Sequence, residues 1–141
     1  PVNRPMTRGR LIDNNYPDLR IRASQFLGGL STRRAIEILD AMIEREPDPV
    51  VVAAACLARE QYPILGGSPL FREMEIRFSG TTGEAGRERI AVAGIRLART
   101  MGSDALESAR TMLLSFTYAN LPSAIRRRAL TMARELSAGD R

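Results

Sequence analysis

Four segments of this chain repeat one pattern of residue types. They cover Asp18–Leu30, Asp48–Glu60, Glu88–Thr100 and Ser123–Glu135, and their starts lie 30, 40 and 35 residues apart. When the segments are aligned on these starts, the seventh and eleventh residues are always small and the tenth is always large and apolar. The small positions hold Ser24, Ala54, Gly94 and Ala129, then Gly28, Ala58, Ala98 and Ala133, and the large position holds Leu27, Leu57, Leu97 and Met132. Self-similarity at this spacing predicts an all-α protein built from stacked helical repeats.

Each aligned position has a physical reason in a helix. The seventh and eleventh residues are one turn apart on the same face, so small side chains there allow a neighbouring helix to approach closely. The large apolar residue at the tenth position is expected to be buried in all four segments. The first position carries Asp, Glu or Ser, which favour a helix amino terminus. Four ordinary amphipathic helices aligned by chance remain the alternative.

The residues between these segments predict a second kind of helix. Ser31–Glu46 places apolar side chains on one face of a helix, which Ser31 can cap and Pro47 can end. Ser103–Tyr118 repeats this pattern less cleanly, and a further helix is expected at Pro5–Asn14. The chain thus alternates between two helix types. We call the intervening helices A helices and the four repeated segments B helices.

Two stretches also resemble a known repeat family. Tyr16–Leu30 and Glu46–Ala58 resemble the B helices of HEAT-like repeats of the phycobilisome-lyase type, whose usual pattern is Asp-Pro-x-Val-Arg followed by Ala-Ala and Ala-Leu-Gly. The likeness is good over Tyr16–Gln61, weaker over Arg87–Leu136, and lost at about residues 62–86. The resemblance implies a right-handed α-solenoid of antiparallel helix pairs, with seven or eight helices, an irregular repeat at about 62–86, and B helices lining the concave surface.

Length and composition fit a single domain over residues 1–141. A chain of 141 residues with 44% hydrophobic residues is long and apolar enough to bury a core. No apolar run approaches the ~18 residues that a transmembrane helix needs, so we expect no membrane insertion and a cytoplasmic location. The chain begins at Pro1 without a methionine, so both a processed chain and a piece of a larger protein remain open.

All 21 basic residues are arginine, and the net charge is +5. A GC-rich genome explains the absence of lysine, and selection for bidentate contacts to carboxylate or phosphate is the functional alternative. The net charge permits an acidic partner without requiring one.

Several of these arginines recur on the B helices. The twelfth aligned position carries Arg59, Arg99 and Arg134, which the family resemblance would place on the concave face as an arginine ladder. Arg20 and Arg22 add a smaller patch on the first B helix. The alternative is that these side chains are solvated or paired with carboxylates of the A helices, such as Glu44 or Glu107. Arg126-Arg127-Arg128 forms a separate basic cluster.

The sequence argues against an enzyme. Histidine, the commonest general base and metal ligand, is absent. Cys56 is the single cysteine and lies among alanines, which favours a buried structural thiol. The glycine-rich stretch 80–86 lacks the Gly-Lys-Ser/Thr ending of a phosphate-binding loop and is better read as a connection before a helix. We therefore expect no catalytic residue, cofactor or metal site.

The predicted function is a non-catalytic protein-binding scaffold or adaptor that uses the B-helix face. Binding of a nucleic-acid backbone through the same arginine-bearing face is the alternative, and 16 interspersed acidic residues count against it. The partner is therefore expected to be another protein, with an acidic surface as one option. Leu70–Ser79 is rich in apolar residues and either packs in the core or forms an exposed patch, with core packing favoured.

Overall fold

The computed structural model describes residues 17–30, 32–62 and 69–139. Regular structure in these ranges is entirely helical and includes no β-strand, which confirms the all-α prediction. Seven α-helices lie in the described ranges: α1 (Pro17–Gly28), α2 (Arg33–Arg45), α3 (Pro49–Arg59), α4 (Leu70–Gly80), α5 (Glu84–Met101), α6 (Leu106–Thr117) and α7 (Ser123–Gly139). A short 3₁₀ helix at Gly102–Ala105 precedes α6. The predicted helix Pro5–Asn14 and the predicted cap Ser31 lie outside the described residues.

Side-chain hydrogen bonds fix the starts of α2 and α3, although the residue that caps α2 is Thr32 and not the predicted Ser31. Thr32 caps α2, because its side-chain oxygen accepts a hydrogen bond from the Ala35 N–H at 3.1 Å. Asp48 caps α3 by accepting from the Val50 N–H at 2.9 Å, and Pro49 occupies the first helical position, where its missing N–H costs nothing. The predicted apolar face of α2 is also present, with Ala35, Leu39 and Ile43 fully buried.

The region expected to be irregular contains a regular helix. In α4, Leu70, Phe71, Met74 and Phe78 are buried, and Ile76 is exposed. The spacing of the buried residues is that of one helical face, so this segment packs in the core, as favoured from sequence. Phe78 meets Phe116 of α6 edge to face, with 4.8 Å between ring centroids.

The contacts between helices form two series, which we call the B row and the A row. The B helices form one row, in which α1 contacts α3, α3 contacts α5 and α5 contacts α7. The A helices form the other row, in which α2 contacts α4 and α4 contacts α6. Contacts between α2 and α3, α4 and α5, and α6 and α7 join the rows. The extensive contacts among the described helices therefore connect each helix to its first and second neighbours along the chain.

Small residues lie where these helices come closest. Ser24 and Ala129 are fully buried, and Gly94 is buried. A Cβ atom added at Gly28 would lie 3.0 Å from the Ala58 Cβ, so α1 and α3 touch through residues of the same aligned position. A Cβ added at Gly94 would lie 2.8 Å from a ring carbon of Phe116. At Gly28 and Gly94 a larger side chain would therefore separate the helices, as the repeat pattern predicts.

The large apolar residues at the tenth aligned position differ in their burial. Leu97 is fully buried, and Leu27 and Met132 are partly buried against the core. Leu57 is 47% exposed, so the prediction of its burial is wrong. The buried faces of α3 are occupied by other residues, namely Val51, Val52, Ala55, Cys56, Ala58 and Arg59. Leu57 therefore lies on the exposed side of α3. Because much of its side chain remains in water, Leu57→Ala is expected to change the free energy of unfolding by only about 0.5 kcal/mol.

Candidate binding surface on the B helices

Arg59 does not belong to an exposed ladder. Its side chain is only 2% exposed, and its Nε donates a hydrogen bond to Asp40 Oδ1 at 2.8 Å. Its Nη1 donates to the Tyr62 carbonyl at 3.1 Å. The prediction of a partner-binding role is therefore corrected: Arg59 ties a B helix to the A helix α2. The alternative of pairing with an A-helix carboxylate describes this residue, although the carboxylate is Asp40.

Arg20 is also used inside the protein. Its Nε and Nη2 donate to the two carboxylate oxygens of Glu46 at 2.8 and 2.9 Å, in the parallel arrangement that Arg and carboxylates favour. The Glu46 side chain is 7% exposed, and its Oε1 also accepts from the Asp48 N–H. Arg77 donates to the Glu46 carbonyl. Arg20 thus joins α1 to the α2–α3 junction and Arg77 joins α4 to it, while the binding role of the partly exposed Arg20 stays a prediction.

The other predicted residues are accessible but are not brought together as a ladder. Arg22, Arg99 and Arg134 are all exposed, on α1, α5 and α7 respectively. Arg99 lines a groove between α5 and α7, whereas Arg22 and Arg134 line none of the grooves described below. A row of three arginines across the B helices is therefore absent from the described residues.

A surface depression that we call the central groove lies between α3, α5 and α7. Its apolar lining residues, which we call the floor, are Ala53, Leu57, Ala85, Val92, Ala93 and Ile125. Its rim carries charged groups of both signs, Glu88, Arg89 and Arg96. Leu57 and Arg96 also border a second depression between α1 and α3, so the B surface continues toward the amino-terminal end of the row. The groove is not evident from the sequence, because the repeat pattern predicts that Leu57 lies in the core.

The charges at the edge of the central groove largely balance one another. Arg96 donates from Nε to both oxygens of Glu60 at 3.0 Å and from Nη2 to Oε1 at 2.9 Å. This hydrogen bonding raises the pKa of Arg96 above its ordinary value. Glu88 and Arg89 carry opposite charges on the same rim. The central groove is thus an apolar site with little net charge.

The neighbouring depression, which we call the arginine groove, has a different character. Arg99 of α5 and Arg127 and Arg128 of α7 line it together with one carboxylate, Glu135. Its remaining lining residues are Ile95, Ala124, Thr131 and Met132. Sequence analysis noticed the cluster 126–128 but gave it no site, and the structure divides it. Arg126 turns back and donates to the Leu121 carbonyl at 3.0 Å, while the next two arginines face the groove.

The surroundings of Cys56 disfavour reaction of its thiol. It is buried, with its Sγ 3.4 Å from the Met74 sulfur, and desolvation raises the pKa of the thiol far above its ordinary value. The thiolate, which is the reactive form, is therefore disfavoured in the folded protein. The described residues hold no cluster of three or more side chains suited to a metal ion. No helix among them has both the length and the apolar character required to cross a bilayer.

Comparisons with protein-family models, with curated proteins and with solved structures give no match to this chain. A functional proposal therefore depends on the residues and grooves described above.

Proposed function

We propose that this protein is a HEAT-like right-handed solenoid of antiparallel helix pairs, and that it acts as a non-catalytic protein-binding scaffold through its B helices. The two rows of helices support this architecture, since each helix packs mainly on its first and second neighbours along the chain. The small residues at the seventh and eleventh positions support it further, because they lie where B helices and their neighbours come closest.

The observation that carries the binding proposal is the apolar floor of the central groove. Leu57 is half exposed, although most other residues of α3 are buried or partly buried. It lines the groove together with the partly buried Ala53, Val92 and Ile125. A partner side chain placed on this floor would remove apolar area from water, which is the dominant favourable term in most protein association. Charged groups around an apolar centre are also typical of protein interfaces.

Nucleic-acid backbone binding is the second candidate, and the arginine groove is the observation that favours it. Arg99, Arg127 and Arg128 could contact phosphates there. A phosphate backbone makes no use of the adjoining apolar floor, however. We therefore expect duplex DNA to bind only weakly at physiological salt, with a Kd on the order of 10⁻⁴–10⁻⁶ M as for non-specific binders.

Affinity capture with matched variants tests the proposal. Leu57→Asp places a charge on the floor of the central groove, whereas Ile76→Asp places the same charge on α4, where Ile76 is 59% exposed in the A row. Both sites are exposed, so circular dichroism should show both variants folded. We expect proteins captured from the source organism by the parent and by Ile76→Asp, identified by mass spectrometry, to be lost with Leu57→Asp. The same captured proteins with all three baits would contradict a binding site on the B helices.

A further inference from the structure

We infer that the partner segment is an acidic peptide with one large apolar side chain, which enters the central groove, and a run of Asp or Glu residues, which follows the arginine groove. This inference rests on the proposed function and adds the chemistry of the partner. It is carried by the different charge balance of two adjoining grooves on the same surface.

The central groove selects for an apolar group rather than for a charge. Its arginine Arg96 already forms a fork with Glu60, and its rim residues Glu88 and Arg89 have opposite charges. A ligand carboxylate placed there would find no surplus of positive charge. The exposed Leu57 and its apolar neighbours offer contact area instead.

The arginine groove selects for negative charge. Three exposed arginines, Arg99, Arg127 and Arg128, line it against the single carboxylate of Glu135. Among the residues that the structure describes, the ion pairs formed by arginine involve Arg20, Arg34, Arg59 and Arg96, and none involves these three. Their guanidinium groups are therefore accessible to carboxylates of a ligand, which they can bind in a bidentate manner.

The start of α7 adds to this positive potential. Helix α7 begins at Ser123, its first turn contains no acidic residue, and Ala124 of that turn lines the arginine groove. The amino terminus of a helix carries a partial positive charge from aligned peptide dipoles. Carboxylates in this groove would therefore meet the helix dipole as well as the arginine side chains.

The two grooves adjoin at the start of α7, so one extended segment can reach both. Ile125 lines the central groove, and its neighbour Ala124 lines the arginine groove. A continuous segment can thus place an apolar side chain near Leu57 and its following carboxylates near Arg127 and Arg128. Exposed ion pairs of this kind contribute modestly to affinity, and they mainly raise the association rate and make binding sensitive to salt.

Selection from a display library of random 12-residue peptides tests the inference without a known partner. The enriched peptides should combine a Leu, Ile, Phe or Met with several carboxylates, and their binding should weaken as salt rises from 50 to 300 mM. Leu57→Asp and the double variant Arg127→Glu/Arg128→Glu should each weaken binding about tenfold or more, as followed by fluorescence anisotropy. The control Arg33→Glu/Arg34→Glu reverses two exposed arginines on α2 and should leave binding within about twofold.

The outcomes separate this inference from the proposed function. Enriched peptides that are neutral or basic, or that ignore Arg127→Glu/Arg128→Glu while depending on Leu57, would overturn the acidic chemistry and leave a protein-binding B surface in place. A 20-base-pair duplex that binds more tightly than the best peptide and depends on Arg127 and Arg128 would also overturn it. Capture of the same proteins from lysate by the parent and by Leu57→Asp would instead count against the proposed function.

Discussion

The two ends of the B row use arginine in opposite ways. Toward the amino terminus, Arg20 and Arg59 fold onto Glu46 and Asp40, and both guanidinium groups connect a B helix to the adjacent A helix or its end. Toward the carboxyl terminus, arginines of α5 and α7 line an open groove and face solvent. Arginines at the same aligned position, such as Arg59 and Arg99, can therefore have different roles. The direction of the side chain and the reach of an A-helix carboxylate decide whether it stabilises the fold or remains accessible.

The largest expected change in stability is at Arg59, near the amino-terminal end of the B row. Arg59→Ala removes a nearly fully buried cation, leaves Asp40 without this ion-pair partner and opens a void, so we expect a loss of about 3 kcal/mol in the free energy of unfolding. The expected loss is at the low end of the range for buried ion pairs, because the Asp40 side chain is 34% exposed and can be hydrated once Arg59 is removed. Urea unfolding measures the change.

Arg99→Ala is the matched control from the same aligned position, and it should change stability by no more than about 0.5 kcal/mol. Equal losses from the two substitutions would remove the contrast between the two ends. A double-mutant cycle with Asp40→Asn should show strong coupling to Arg59 and none to Arg99.

A smaller effect is expected at the α2–α3 junction. Arg20→Ala leaves the nearly buried Glu46 carboxylate with a hydrogen bond from the Asp48 N–H but without its bidentate partner, which should cost about 1–3 kcal/mol. Arg22→Ala, two residues further along α1, removes an exposed side chain and serves as the control. Thermal unfolding of both variants checks the prediction, and a control as unstable as Arg20→Ala would place the structural role elsewhere on α1.

The smallest effect concerns the charges around Asp40. Burial, followed by the charges of Glu44 and Asp40, raises the pKa of Glu73 above its ordinary value. A raised pKa in the folded state means that the ionised form is disfavoured on folding, so the penalty is present at neutral pH and disappears below the ordinary glutamate pKa of about 4.3. Glu73→Gln should therefore increase the free energy of unfolding at pH 7, by no more than a few tenths of a kcal/mol because solvent screens the charge of this partly exposed side chain.

The pH profile supplies the check on this last prediction. The stability difference between Glu73→Gln and the parent should shrink as the pH is lowered from 7 toward 3.5. A difference that stays constant over this range would mean that packing, and not charge, sets it.

The sequence was sufficient for much of the helical framework. Caps such as Asp48–Pro49, the apolar face of α2 and the small residues Gly28 and Gly94 depend on local chemistry or on repeat spacing, and both are visible in the chain. The roles of Leu57 and Arg59 were not predictable in this way. Each depends on the rotation of α3 relative to its neighbours, and the partner of Arg59 is a carboxylate 19 positions earlier on another helix.

The candidate site was predicted only in part for the same reason. Alignment of the B helices indicated that Arg99 would be exposed, but a groove is a property of the space between helices. The approach of α5 to α7 places Arg99 beside Arg127 and Arg128, although these residues occupy different aligned positions. An alignment of repeats compares residues at equivalent positions. It does not show which residues at different positions lie close together in the structure.

The contacts between near neighbours along the chain also have a consequence for folding kinetics. Because the main helix contacts join elements that are first or second neighbours, folding requires little closure of long loops before contacts form. Helical proteins whose contacts are mostly local fold quickly for their size. We expect hydrogen exchange to reveal opening that begins at an end of the row. Helix α1 could then exchange while α5, α6 and α7 remain protected, so the arginine groove would persist in a partly unfolded molecule.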